Sequence, residues 1–139
     1  MYHKIIIVGN LGNDPEMRYT PGGQAVTNFS VATNRTYTNS NGERVKETTW
    51  FRISAWGRQA EICNQYLARG RQVMVEGRLN ADRDTGGPRT YMRNDGTPGA
   101  SYEITADRVV FLGGRDDEQG GFQGGPQGND APMEDDIPF

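Results

Sequence analysis

Alternation governs the first 112 residues, and it is plainest over Lys46–Trp56. Side chains of a β-strand point to opposite faces with a period of two. Lys46, Thr48, Trp50, Arg52, Ser54 and Trp56 therefore share one face, and Glu47, Thr49, Phe51, Ile53 and Ala55 the other. The second set supplies a core. The first carries both tryptophans of the chain among cations and hydroxyls. Flat aromatics interleaved with positive charge are what an unpaired nucleic-acid strand requires, for stacking bases and for neutralising phosphates. The same rings would also suit a second core or a subunit interface, so the strand alone leaves the choice open.

The remaining pattern predicts the framework around this strand. His3–Leu11 is a β-branched run that predicts a strand, and the glycines and prolines of Asn10–Gln24 predict a strand end, loop and turn. Ala25–Tyr37 reads as a strand with Phe29 and Val31 inward, a parity that continues to Thr33, Arg35 and Tyr37. Asn39–Glu43 has the composition of a hairpin turn leading into the Trp50 strand. From Arg58 to Arg69 the spacing becomes helical, with Ala60, Ile62, Cys63, Tyr66 and Leu67 on one stripe and Gly70 placed as a C-cap. Gln72–Leu79 alternates again with Val73, Val75 and Leu79 inward. Asn80–Ala100 reads as a Gly- and Pro-rich hairpin or arm, strand-like only at Thr90–Arg93. Ser101–Leu112 is the last strand, with Ile104, Ala106, Val109 and Leu112 inward and a bulge between them. Three strands, a helix and two strands predict an all-β domain with one helix, the five-stranded Greek-key OB-fold barrel, over residues 1–112. A ferredoxin-like order would need a second helix.

Beyond Leu112 the periodicity ends. Residues 113–132 read as a disordered linker rich in Gly, Gln and Pro, and residues 133–139 as a short acidic tip ending in Ile-Pro-Phe. Charge divides at the same point. Residues 1–112 hold 14 Lys and Arg against 11 Asp and Glu, a balance of +3, whereas residues 113–139 hold 1 against 7, a balance of −6. The overall −3 thus conceals a mildly basic body able to meet a polyanion.

One cysteine, Cys63, rules out an intrachain disulfide framework and a multi-cysteine zinc site, and predicts a small buried hydrophobe on the helix. Ile5–Val8 is too short an apolar run for a signal peptide, and nothing approaches a membrane span, so a soluble, cytoplasmic protein without cofactor or metal is expected. His3, the single histidine, reads as a surface residue. Gly9-Asn-Leu-Gly12 matches a phosphate clamp only nominally and reads as a turn. Asp14 and Glu16 leave a metal-dependent nuclease as a rival, and an RNA-binding barrel is a second one.

Four blocks, Val8–Tyr19, Trp50-Phe-Arg52, Glu76–Leu79 and Glu134–Phe139, closely resemble the bacterial or phage-borne single-stranded DNA-binding proteins of the OB-fold family. The resemblance implies a non-enzymatic protein of the nucleoid-associated cytoplasm. It would bind single-stranded DNA without sequence preference and assemble as a homo-oligomer, usually a homotetramer. It would also recruit replication, recombination and repair proteins through Glu134, Asp135, Asp136, Ile137, Pro138 and Phe139. By the same resemblance Trp50, Trp56 and Tyr37 match base-stacking positions. A fourth such position falls near Asp84, which cannot stack, and Tyr91 in the same arm is the candidate substitute. Lys4, Arg58, Arg69 and Arg83 are the phosphate contacts the resemblance implies, and Arg18 and Arg52 join them on charge alone. Phe51 stands where a polar residue often accompanies this tryptophan.

Overall fold

The computed structural model describes residues 1–113; the linker and the acidic tip lie outside the described residues. The elements are β1 (Ile5–Leu11), β2 (Glu16–Tyr19), β3 (Ala25–Thr38), β4 (Arg44–Trp56), α1 (Arg58–Tyr66), β5 (Gln72–Asn80), β6 (Arg89–Met92) and β7 (Pro98–Leu112). Five of the strands run in the order β1-β5-β7-β4-β3. The sheet then closes where Asn10 meets Ala32 and Leu11 meets Val31. Only β4 and β7 run parallel in this circuit, from Phe51 beside Tyr102 to Ser54 beside Thr105. The expected OB barrel is therefore present, with α1 between its third and fourth strands.

Alternation fills the barrel as the pattern predicted. Val31, Ile53, Val73, Val75 and Ile104 are wholly buried, and Ala55, Phe29 and Leu11 join them. At the tip of the β3–β4 ribbon Asn39 folds the turn: its Oδ1 accepts the N–H groups of Asn41 at 3.0 Å and Glu43 at 2.9 Å. The expected bulge lies on β7. Glu76 faces Arg108 but Gly77 faces Ala106, so Asp107 is passed over.

Several local expectations are corrected. The segment read as a loop contains β2, which pairs with β3 from Glu16–Asn28 to Tyr19–Ala25 and broadens the sheet outside the barrel. The helix ends at Tyr66, before the stop read at Gly70, because Leu67 leaves helical geometry and turns into the core. The turn that follows is tied to the end of β1 and to the loop after it: Asn10 Nδ2 donates to the Gly70 carbonyl at 3.0 Å, and Arg69 N–H donates to Asp14 Oδ1 at 2.9 Å. Tyr66, placed on the apolar stripe, is exposed against Phe111 instead, with ring centroids 6.3 Å apart. Leu79 is exposed at the end of β5, past the layer the barrel can cover, and Leu112 is half-buried outside the core cluster. Gly9 lies within β1 and not in a turn; a Cβ there would fall 2.9 Å from a Val31 methyl and overlap the Ala32 carbonyl. Its bare Cα lets β1 and β3 meet.

Cys63 packs in this core, fully buried, and burial pushes its thiol up to about 11. A thiol raised above its unfolded value contributes stability below about pH 8.5, lost as pH climbs through the folded value. Alkylation of the folded chain at pH 8 is expected to run on the order of 100-fold slower than for an open thiol. Labelling at the open-thiol rate would contradict the burial.

Candidate nucleic-acid interface

The outer face of β4 is laid out by its neighbours. Arg52 lies between Ser30 on β3 and Glu103 on β7. Ser54 donates its hydroxyl to Asn28 Oδ1 at 2.9 Å, which locks the two strands on that face. β2 places Arg18 across from Val26, and Val26 on its other side pairs with Trp56. Arg18, Arg52 and Trp56 consequently line one open groove of about 280 Å³, floored by Asn28 and Ser54. Trp56 is 39% exposed there. Two arginines selected on charge alone thus converge on a predicted stacking ring.

The far wall comes from β7 and the arm, and sequence reasoning missed it. Thr105 and Glu103 line the groove from β7, with Asn80 and Arg89 beside them. Arg89 Nε stands 3.0 Å from Glu103 Oε2. That oxygen is buried and receives no aligned hydrogen bond, so its compensation is the guanidinium charge. No spacing in the chain announces this wall, since it arises only when β7 docks parallel to β4.

Trp50 projects from the same face of β4, 54% exposed. The edge of its six-membered ring abuts Gly12, where an added Cβ would overlap Cζ3 and fall 2.7 Å from Cη2. Gly12 is fixed by its N–H bond to the Ser30 carbonyl at 3.0 Å, and Asn13 Oδ1 accepts the Ser30 N–H at 2.9 Å. The loop after β1 is thereby a stop for the edge of the indole. Tyr91 is set differently in the arm: the face of its ring lies over Gly99, 2.8 Å from a would-be Cβ, and the residue is 46% exposed. The Arg93 guanidinium is 6.0 Å from the ring centroid.

Tyr37 does not share the tryptophan face. It pairs with Val45, whereas Trp50 pairs with Ala32, so the phenol lies on the opposite side of the β3–β4 ribbon. The Arg35 guanidinium covers it at 4.9 Å while reaching Glu47 at 3.6 Å. The other expected cations are dispersed. Lys4 precedes β1, Arg58 opens α1, Arg69 lies in the turn before β5 and Arg83 in the arm; all four are exposed, and none lines the groove.

The residues of the nuclease reading have other work. Asp14 staples the Arg69 backbone, and Glu16 is an exposed residue of β2. Among the described residues no three His, Cys, Asp or Glu side chains gather as a metal site. His3 Nε2 accepts the Leu79 N–H at 3.1 Å. In the arm, N–H bonds from Thr85 and Asp84 hold the Asp82 carboxyl below its usual range.

A closed five-stranded barrel with its helix before the fourth strand, and with indoles and guanidiniums along one outer face, defines an OB-fold of the nucleic-acid-binding kind. The comparisons agree. The chain belongs to the Single-strand binding protein family, whose model matches residues 2–112. It is 44% identical over 119 residues to the Single-stranded DNA-binding protein of Neisseria meningitidis serogroup A, an alignment covering 86% of this chain and 64% of that one. The counterpart from Wolinella succinogenes is 35% identical over 138 residues, covering 99% and 78%. The chain thus spans a little under two thirds of the length of the meningococcal relatives. Among solved structures, the Plasmodium falciparum SSB complex with ssDNA matches with a TM-score of 0.65 at 29% identity, covering 81% of this chain and 97% of that one. A deletion mutant of the single-stranded DNA binding protein from Thermus aquaticus gives 0.63 at 28%, covering 81% and 51%. No helix among the described residues is long and apolar enough to cross a membrane.

Proposed function

We propose that the chain binds single-stranded DNA without sequence preference and works as a non-enzymatic coat for unpaired strands. One observation carries this reading: Trp56 lines one open groove together with Arg18 and Arg52, and the face continues to Trp50. Every base offers a π-face, so stacking tolerates any sequence, and duplex DNA withholds those faces. Tyr91 extends the platform into the arm, and Tyr37 offers a ring on the ribbon's other side. Arg18 and Arg52 take phosphates in the groove, while Lys4, Arg58, Arg69 and Arg83 serve a strand that leaves it.

Neutralised phosphates make affinity fall with salt, with a log–log slope of about −0.7 per contact on single strands. Arg18→Ala and Arg52→Ala are each expected to make the slope of oligo-dT binding shallower by about 0.7, read by fluorescence titration across a salt series. An unchanged slope in both would place the strand elsewhere, and oligo-U as competitor tests the preference for DNA.

The outer face of β1, β5 and β7 supports assembly into a homo-oligomer, most simply a homotetramer. Ile6 and Val8 are 56% and 48% exposed there, and Val8, Met74 and Val110 lie abreast across the three strands. Light scattering that returned a monomer at micromolar concentration would end this part of the reading.

Residues 113–132 serve as a linker and 133–139 as a docking tip for replication, recombination and repair proteins of the nucleoid-associated cytoplasm. Glu134, Asp135 and Asp136 meet a basic rim, and Ile137, Pro138 and Phe139 an apolar pocket. Removing Phe139 is expected to abolish partner pull-down and leave oligo-dT affinity intact or higher. Retained pull-down would reduce the tip to a solubilising acidic run.

A further inference from the structure

A second recess lies beside the Trp56 groove, where the arm folds back on the barrel. Leu79 and Tyr102 form its apolar side, and Gly86, Gly87 and Pro88 the opposite wall, around a volume of about 190 Å³. Both large side chains are exposed, Leu79 at 42% and Tyr102 at 52%. The Tyr102 ring is tilted 41° against Phe51 with centroids 5.9 Å apart, which steadies it while leaving it half open. The wall is already formed. Asp82 N–H donates to the Gly87 carbonyl and Gly86 N–H to the Asp82 carbonyl, both at 2.9 Å.

Asn80 and Glu103 line both the recess and the groove, whereas Leu79 and Tyr102 alternate with them and lie on the other face of the sheet, the face of Phe51. Asn80 Oδ1 accepts the Thr105 hydroxyl at 2.9 Å, which leaves its amide nitrogen as the donor at the junction. Arg89, paired to Glu103, stands at the same place as a cation. A strand leaving Trp56 therefore meets a positive charge at Arg89 and reaches the half-open phenol by turning over the end of β5.

We propose that this recess takes one unpaired nucleobase of the bound strand, stacked on Tyr102 and edged by residues 86–88, with the adjoining phosphate at Arg89. The inference rests on the single-strand reading above and adds a base subsite outside the tryptophan face. Size selects the occupant: the recess falls below the roughly 300–1,000 Å³ of sites for drug-sized ligands, which suits a single ring system better than a peptide. Chemistry agrees, since an aromatic platform with apolar surroundings and a cation at its mouth fits a base joined to a phosphate and fits no isolated anion.

The test uses the full chain and oligo-dT carrying one 5-iodo-deoxyuridine, irradiated and mapped by mass spectrometry, together with affinities of Tyr102→Ala and Tyr102→Phe. The expected results are a crosslinked peptide containing Tyr102, an affinity loss of about 5- to 150-fold in Tyr102→Ala, and near-parental binding in Tyr102→Phe. Folded Tyr102→Ala that binds like the parent overturns the proposal. So does a change in its subunit mass by light scattering with binding per subunit unaltered, which would mark a protein interface. The crosslink reads the unaltered chain and decides even where Tyr102→Ala does not fold: labelling confined to the peptides of Trp50 and Trp56 overturns it as well. Failure of the unaltered chain to bind oligo-dT would instead overturn the single-strand reading itself.

Discussion

Trp56→Ala is expected to weaken oligo-dT binding by about 5- to 150-fold, the range that corresponds to one base–aromatic stack of about 1–3 kcal/mol. Trp50→Ala is expected to lose a similar factor. Trp56 is the more telling of the two because it shares its groove with Arg18 and Arg52, so base and phosphate are held by one surface. Trp56→Phe should recover most of the loss, since a smaller ring keeps the platform. Binding of poly-dT should also quench the intrinsic fluorescence, as both indoles are accessible and both lie on the outer face of β4. Parental affinity in both alanine variants, with the far-UV spectrum retained, would mean that the rings face protein.

Gly9→Ala is expected to be the most damaging small substitution in the barrel. The methyl would fall 2.9 Å from the Ala32 carbonyl carbon, and backbone cannot yield as a side-chain tip can. Gly77→Ala meets the Thr105 carbonyl in the same way, beside the bulge at Asp107. Overpacking of this kind costs about 1–3 kcal/mol in yielding cores. Against two backbones at a closure point, at least about 3 kcal/mol is expected, or a melting temperature lower by roughly 10 °C or more. Gly22→Ala is the control, with only the Thr20 hydroxyl near its Cβ, at 3.9 Å, and should melt like the parent. If Gly9→Ala melted with the control, the approach of β1 to β3 would be looser than described.

How much of this was legible in the chain follows from which forces act locally. The faces of β4 could be read directly, because a period of two in the sequence is a period of two in space, and burial alternates accordingly from Phe51 to Trp56. The bulge in β7 was also readable, since the inward residues Ile104, Ala106 and Val109 break step. Parity even placed Tyr37 away from Trp50, although the resemblance grouped the two. By contrast β2 is four residues in a stretch full of turn formers, and only its pairing with β3 makes it a strand. The helix stop eluded the pattern because a tertiary force sets it: Leu67 reaches the core before Gly70 is needed. Arg89, Glu103 and Tyr102 stayed hidden for a related reason. Alone they are ordinary residues of an arm and a last strand, and they acquire meaning when β7 lies beside β4.

The glycine beneath Tyr91 has a consequence for how a strand can travel. With Gly99 filling its underside, the Tyr91 ring has a single vacant side. Such a ring cannot wedge between two neighbouring bases; it can only be capped by one. A strand bound at Tyr91 would be laid on a shelf and not threaded past it, so that base could be lifted off singly.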